Sequence, residues 1–310
     1  MKLGCAAWAF TKPRYGAPYE DAVSTIGQLG FQGLELIVHS REDLEQYYTA
    51  AKTKELRGLY RSYNMQLSQF AVYTPMVQDM LSPDEAKRED AFRLFEQAVA
   101  VGHDLGTSLI NLVSHWMDGL VAPPPINYPP NYINPFAGGA DRTEPKMSMQ
   151  LPQPFDWDAI WQNYMDVLRR CLGIVQARGM KLAVEGHAHV IVSNSDAMLR
   201  MFDYIPSPDM GVTYDTAWHL IQREYAALAA KKLGKRILSV HVRDGDGLVN
   251  YGLPPGYGVI DWHDFIGALH SVGYSGFLTL EMTRYAKPEH YIKEAKLYLE
   301  RIIQDIMEGK

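Results

Sequence analysis

Along the chain, short apolar runs rich in β-branched and aromatic residues alternate with longer stretches of amphipathic character. Eight of the short runs predict strands: Lys2–Trp8, Gly33–Val38, Gln66–Val72, Ser108–Val113, Lys181–Glu185, Gly211–Asp215, Leu238–Val242 and Phe277–Glu281. Between them lie predicted helices such as Tyr19–Leu29, Asp84–Val101, Trp157–Ala177 and Asp261–Val272. Gly30, Gly102, Gly179 and Gly273 stand where helix C-caps are expected. Repeated strand–helix units predict a parallel sheet. Eight such units in 310 residues predict an α/β fold, a closed (β/α)8 TIM barrel forming one domain over 1–310, with an open doubly wound sheet as the alternative.

One stretch breaks the rhythm. From Ser114 to Phe155 the chain is rich in proline, asparagine and tyrosine, and neither period fits. This predicts a long loop after strand 4 that serves as a lid, a partner-binding segment or a cover for the barrel rim.

Composition narrows the function classes. With 30 basic and 36 acidic residues the net charge is −6, which gives no strong field for nucleic acid or an anionic membrane. Cys5 and Cys171 are too few for a disulfide framework, and the apolar stretch Cys5 to Phe10 is too short for a leader or a membrane span. A cytoplasmic protein is expected.

Candidate chemistry lies at the ends of four successive predicted strands: Glu185, Asp215, His241 and Glu281. In a closed parallel barrel the C-terminal strand ends converge on one mouth, so these side chains are expected to face one point. Any one acidic residue alone reads better as a helix cap or an ion-pair partner. Four at matching places, three carboxylates and an imidazole, read as a site for one divalent cation. Mn²⁺ is the first choice, with Mg²⁺, Co²⁺ or Zn²⁺ as alternatives.

Three stretches carry a resemblance: Leu29-Gly-Phe-Gln-Gly-Leu-Glu-Leu, Arg236-Ile-Leu-Ser-Val-His-Val-Arg-Asp, and Gly256-Tyr-Gly-Val-Ile-Asp-Trp followed by Gly273-Tyr-Ser-Gly-Phe-Leu-Thr-Leu-Glu281. With them the chain resembles the xylose-isomerase-like family of sugar isomerases and epimerases, which also contains endonuclease IV and inosose dehydratases. The resemblance implies that Glu185, Asp215, His241 and Glu281 are metal ligands. It also implies that Glu185 and Glu281 flank the substrate as an acid/base pair and that His187 contacts substrate; because a metal-bound carboxylate is a weakened base, His187, His115 and His219 are the alternative groups for taking the proton. Many members place a histidine three residues after the strand-six aspartate. Here that position is Trp218, and the histidine is His219. Arg243, His115, Trp116 and Trp8 complete the expected substrate-binding set. Asp261 and His263 are similar to further zinc ligands of endonuclease IV, but Asp261 equally suits a helix N-cap, which is the reading preferred.

The expected activity is proton abstraction beside the carbonyl of a sugar or sugar derivative, giving isomerisation or epimerisation. The alternative is a lyase that uses the same enolate for β-elimination, such as a dehydratase or a C-glycoside deglycosidase acting on an oxidised glycoside. The expected partners are a small-molecule sugar or glycoside and further copies of the chain, with a small second subunit as an added possibility. An endonuclease is disfavoured by the charge, and a non-catalytic module by the intact ligand set.

Overall fold

The computed structural model describes residues 1–117, 151, 153–247, 252–282, 285 and 287–309. Most of the predicted loop over 114–155 therefore lies outside the described residues.

Eight strands form a closed barrel in sequence order: β1 (Lys2–Ala6), β2 (Gly33–Val38), β3 (Gln66–Val72), β4 (Leu109–Val113), β5 (Lys181–Glu185), β6 (Met210–Asp215), β7 (Ile237–Val242) and β8 (Phe277–Leu280). All neighbouring pairs are parallel. The ring closes through β8 on β1, from Lys2 beside Phe277 to Cys5 beside Leu280. The predicted strands match to within two residues at each end. Trp8 falls outside β1 because the chain turns into a short 3-10 segment over Ala7–Ala9, which brings the indole to the barrel mouth.

Helices α1 (Glu20–Gln28), α2 (Ala50–Ser62), α3 (Thr74–Val77), α4 (Glu85–Leu105), α5 (Trp157–Gln176), α6 (Ser195–Tyr204), α7 (Thr216–Ile221), α8 (Ala226–Leu233), α9 (Trp262–Ser271) and α10 (Pro288–Met307) accompany the strands. Several start where a side chain satisfies the free N–H groups of the first turn. The Asp84 carboxylate accepts from Ala86 N at 2.9 Å, Asp156 from Ala159 N at 3.0 Å and Asp261 from Asp264 N at 2.9 Å. Asp261 is therefore the cap of α9, and neither it nor the exposed His263 reaches the mouth.

The predicted end of the fourth helix at Gly102 is corrected. The helix runs one turn further, and Gly106, at φ +91°, ends it. Gly102 lies inside α4, where a Cβ would stand 2.8 Å from Ile110 Cδ1, so the missing side chain lets the helix press onto the barrel. The apolar faces of the helices and the outer faces of the strands share one core, with Trp161, Trp262, Tyr164 and Phe70 among its largest buried side chains. Each large apolar side chain so buried contributes about 1.5–3 kcal/mol.

The glycine-rich motif after β7 has a structural purpose. Buried Asp244 accepts from Gly256 N at 2.9 Å, Ile260 N at 3.2 Å and Trp262 Nε1 at 2.8 Å, clasping the returning chain. A Cβ on Gly258 would come within 2.2 Å of Asp244 Oδ1, so only glycine fits there. The clasp seats α9 through Trp262.

Candidate metal centre

Glu185 and Asp215 end β5 and β6, His241 lies one residue before the end of β7, and Glu281 follows β8 directly. The barrel's shear brings them together: each offers one ligand atom, and these atoms lie within 4.8 Å of one another. All four are buried. His241 Nδ1 is 3.3 Å from Glu185 Oε1, 3.7 Å from Glu281 Oε2 and 3.9 Å from Asp215 Oδ2. The cap reading of Asp215 holds and leaves its second oxygen available. Its Oδ1 caps α7, accepting from Ala217 N at 2.9 Å and Trp218 N at 3.0 Å, while Oδ2 faces the other ligands.

Three buried carboxylates at this separation repel one another unless cations stand among them. Arg243 contacts Asp215 and lies 3.3 Å from Glu281 Oε2. Burial opposes its charge, but Asp215 and Glu281 outweigh that and hold the guanidinium above its ordinary value. Burial likewise pushes the Glu185 carboxyl up, yet the His241 and His187 imidazoles bring it well below the usual range. For His241 burial disfavours the charged ring, and Glu35 and Glu185 together hold it protonated well above the ordinary histidine range.

The donor set fits a divalent cation. His241 Nε2 is 2.8 Å from Glu35 Oε2, so in the neutral ring the N–H faces Glu35 and the Nδ1 lone pair faces the three carboxylates. A hard, oxygen-rich set with one imidazole suits a cation of the magnesium, manganese or zinc kind.

The sequence reading missed the supports behind these candidate ligands, which come mainly from β2–β4, with Trp8 in the turn after β1 and Thr213 on β6. Gln69 Nε2 donates to Glu35 Oε1 at 2.8 Å, and Thr213 Oγ1 donates to Gln69 Oε1 at 3.2 Å. Asn111 Nδ2 donates to Glu185 Oε2 at 2.7 Å, and Trp8 Nε1 to Glu281 Oε1 at 3.1 Å. Burial raises the Glu35 carboxyl, an effect countered by His241 and Gln69.

Of the other expected site residues, Trp8, His187, Trp218 and Arg243 line one cavity with Glu185, His241 and Glu281. Half-buried His187 places Nε2 3.1 Å from Glu185 Oε1 and stacks on Trp218 at 4.3 Å between ring centres. His115, Trp116 and His219 do not line this cavity. His115 is buried with Nε2 3.0 Å from Val77 O, and burial pushes its pKa down to about 4. Trp116 packs against His189 at 5.8 Å. His219 turns inward, contacting Glu224 and stacking on Tyr214 at 4.2 Å. The one-residue offset from Trp218 accounts for this, since consecutive helical side chains point about 100° apart.

A profile of the xylose isomerase-like TIM barrel family matches residues 23–302, and the chain belongs to that family. It is 21% identical over 311 residues to the fructoselysine 3-epimerase of Shigella flexneri, spanning 98% of this chain and 96% of that protein. It is 26% identical over 170 residues to the inosose dehydratase of Geobacillus kaustophilus strain HTA426, spanning 48% of this chain and 55% of that protein. Among solved structures, D-psicose 3-epimerase from Clostridium cellulolyticum H10, determined with D-tagatose, superposes with a TM-score of 0.75 at 16% identity, over 98% of this chain and 99% of that one. The protein is thus a distant relative of sugar epimerases, an enzyme of the sugar isomerase and epimerase family with a buried Glu–Asp–His–Glu group. Among the described residues no helix is long and apolar enough to cross a membrane.

Proposed function

We propose that this protein abstracts a proton beside the carbonyl of a sugar or sugar derivative and returns one, giving isomerisation or epimerisation with a divalent cation, manganese first. The observation that carries the reading is the convergence of Glu185 and Glu281 on one cavity, each with its own supports. When bound by Glu185, Asp215, His241 and Glu281, the cation would polarise the carbonyl and a neighbouring hydroxyl.

The chain's own groups do the rest. Asn111 ties down one oxygen of Glu185 and Trp8 one oxygen of Glu281, so each carboxylate keeps a fixed aim. One carboxylate takes the carbon-bound proton, and the other delivers a proton to the opposite face. His187, beside Glu185 and partly open to solvent, carries protons to and from that carboxylate. Arg243 steadies negative charge on the substrate oxygens. Trp8 and Trp218 form apolar walls for a sugar ring. In this reading His115, Trp116 and His219 act only through packing.

Incubating metal-loaded protein with D-fructose, D-psicose and D-tagatose in D₂O, followed by NMR, tests the reading. Deuterium at the carbon beside the carbonyl of a rearranged sugar is expected, and no exchange with these or with keto-glycosides would overturn it. The partial similarity to an inosose dehydratase favours a second reading, β-elimination from the same enolate. A new alkene with release of water or an aglycone would identify that outcome.

A further inference from the structure

The half of the mouth opposite the ligands on β5–β8 carries a wall that no step above uses. It is built by the loop after β1. Tyr15 stands there with φ +69°, a left-handed backbone that a bulky residue adopts only when its surroundings hold it. They do so here, as Tyr19 Oη donates to Tyr15 O and Gly16 N donates to Pro13 O at 3.1 Å. The strained backbone aims the phenol into the cavity, where its ring lies 5.9 Å from Trp8 and 5.5 Å from Tyr73.

Arg14 lines the same cavity. Its guanidinium lies 4.3 Å from the centre of the Tyr15 ring and donates through Nη2 to the phenolic oxygen. Its Nε is buried and has no hydrogen-bond partner, and among the described residues Arg14 forms no ion pair. Arg243, whose Nε is likewise buried without a hydrogen-bond partner, differs in having counter-ions, Asp215 and Glu281. A half-buried guanidinium without a counter-ion is unfavourable, and a planar fork held against a ring at the cavity wall suits a carboxylate or phosphate. Because Tyr15 accepts from Arg14, its own hydroxyl proton is left to donate outward. Burial, together with the Glu281 charge, keeps that phenol protonated.

We propose that Arg14 and Tyr15 form a subsite for an oxyanion, a carboxylate or a phosphate, carried by the sugar at the end away from its carbonyl. The subsite rests on reading the cavity as a sugar site and adds the charge of the substrate to that reading. A neutral ketose would leave the Arg14 charge without a counter-ion among the described residues, whereas an acidic one would supply it.

The test measures binding to the manganese-loaded, full-length protein by calorimetry with three probes: D-fructose, D-fructose 6-phosphate and 5-keto-D-gluconate. At low ionic strength at least one anionic probe should bind tenfold or more tightly than D-fructose, and the preference should shrink as salt is added. The phosphate and carboxylate arms tell the two oxyanions apart. Arg14→Gln should bring the ratio near one, Arg14→Lys should keep part of it, and Tyr15→Phe should reduce it by a smaller factor. Equal binding of neutral and anionic ketoses, or a preference unchanged in Arg14→Gln, would overturn the subsite. Deuterium uptake, read in parallel, reports on proton abstraction alone, so either reading can fail without the other.

Discussion

Strands β5–β8 and strands β1–β4 contribute to one mouth in different ways. The later strands present the four candidate ligands at or next to their C-terminal ends, where the barrel opens. The support residues of β2–β4 sit deeper, in mid-strand, where Glu35, Gln69 and Asn111 point into the barrel, and Trp8 reaches over from the turn after β1. The first set holds charge, and the second fixes where that charge points. A cation site with poorly held ligands would bind weakly and misplace the reacting carboxylates.

Breaking the ligand half should have the largest effect. Glu281→Gln is expected to lower kcat by about 10²–10⁴, measured as deuterium exchange into a ketose at saturating metal. Asp215→Asn keeps the oxygen that caps α7 but removes the charge facing Arg243, so bound metal should be lost together with a fall in melting temperature.

Breaking the support half should act on affinity rather than on the proton transfer itself. Glu35→Gln removes the negative charge facing His241 Nε2 and is expected to weaken metal binding by about 10–100-fold, read by competition with a chelator. If metal binding were unchanged, Glu35 would be only a buried ion-pair partner.

The pH dependence sharpens the same contrast. In the metal-free protein Glu35 and Glu185 raise His241 well above 6.5, so a proton must leave when the ring becomes a ligand. Calorimetry in buffers of different ionisation enthalpy should therefore show proton release at neutral pH and weaker binding as pH falls. Because the folded value is raised, the stability this pair gives the metal-free protein is fully present below about 6.5 and is lost as pH rises through the folded value. Glu185 works in the opposite sense: its depressed folded value gives stability above about 4.5 that is lost as pH falls through the folded value.

Smaller effects mark the edges of the site. Trp8→Phe keeps an aromatic ring and deletes the donor to Glu281, so kcat should fall by about tenfold, the low end for one hydrogen bond to a charged group. His115→Gln should leave kcat within about twofold while costing about 1–3 kcal/mol of stability, because its ring bonds Val77 O and does not line the cavity.

The strands and the ligand positions were legible in the sequence because both follow rules of spacing. Apolar runs mark the strands, and a closed barrel sends their last residues to one mouth. The supports were harder to read, since nothing in their spacing distinguishes them. One signal was present: Glu35 stands in the middle of the otherwise apolar run Gly33–Val38, and a buried charge there requires a partner. The choice between Trp218 and His219 depended on the phase of α7, which the Asp215 cap sets and which no residue type announces. Gly102 misled because glycine serves both as a helix stop and as a point of close packing, and only Gly106 has the left-handed backbone of a stop.

The closure of β8 onto β1 also orders events in time. The bond from Trp8 to Glu281 joins residues 273 positions apart, so the first strand must wait for nearly the whole chain to be made. At 5–20 residues per second that wait is about 14–55 s. A nascent chain lacking β8 exposes both edges of an open sheet and carries three of the four candidate ligands. Sealing the barrel and completing the candidate cation site fall together in the life of the chain, and a cation bound there would act as a late latch on folding.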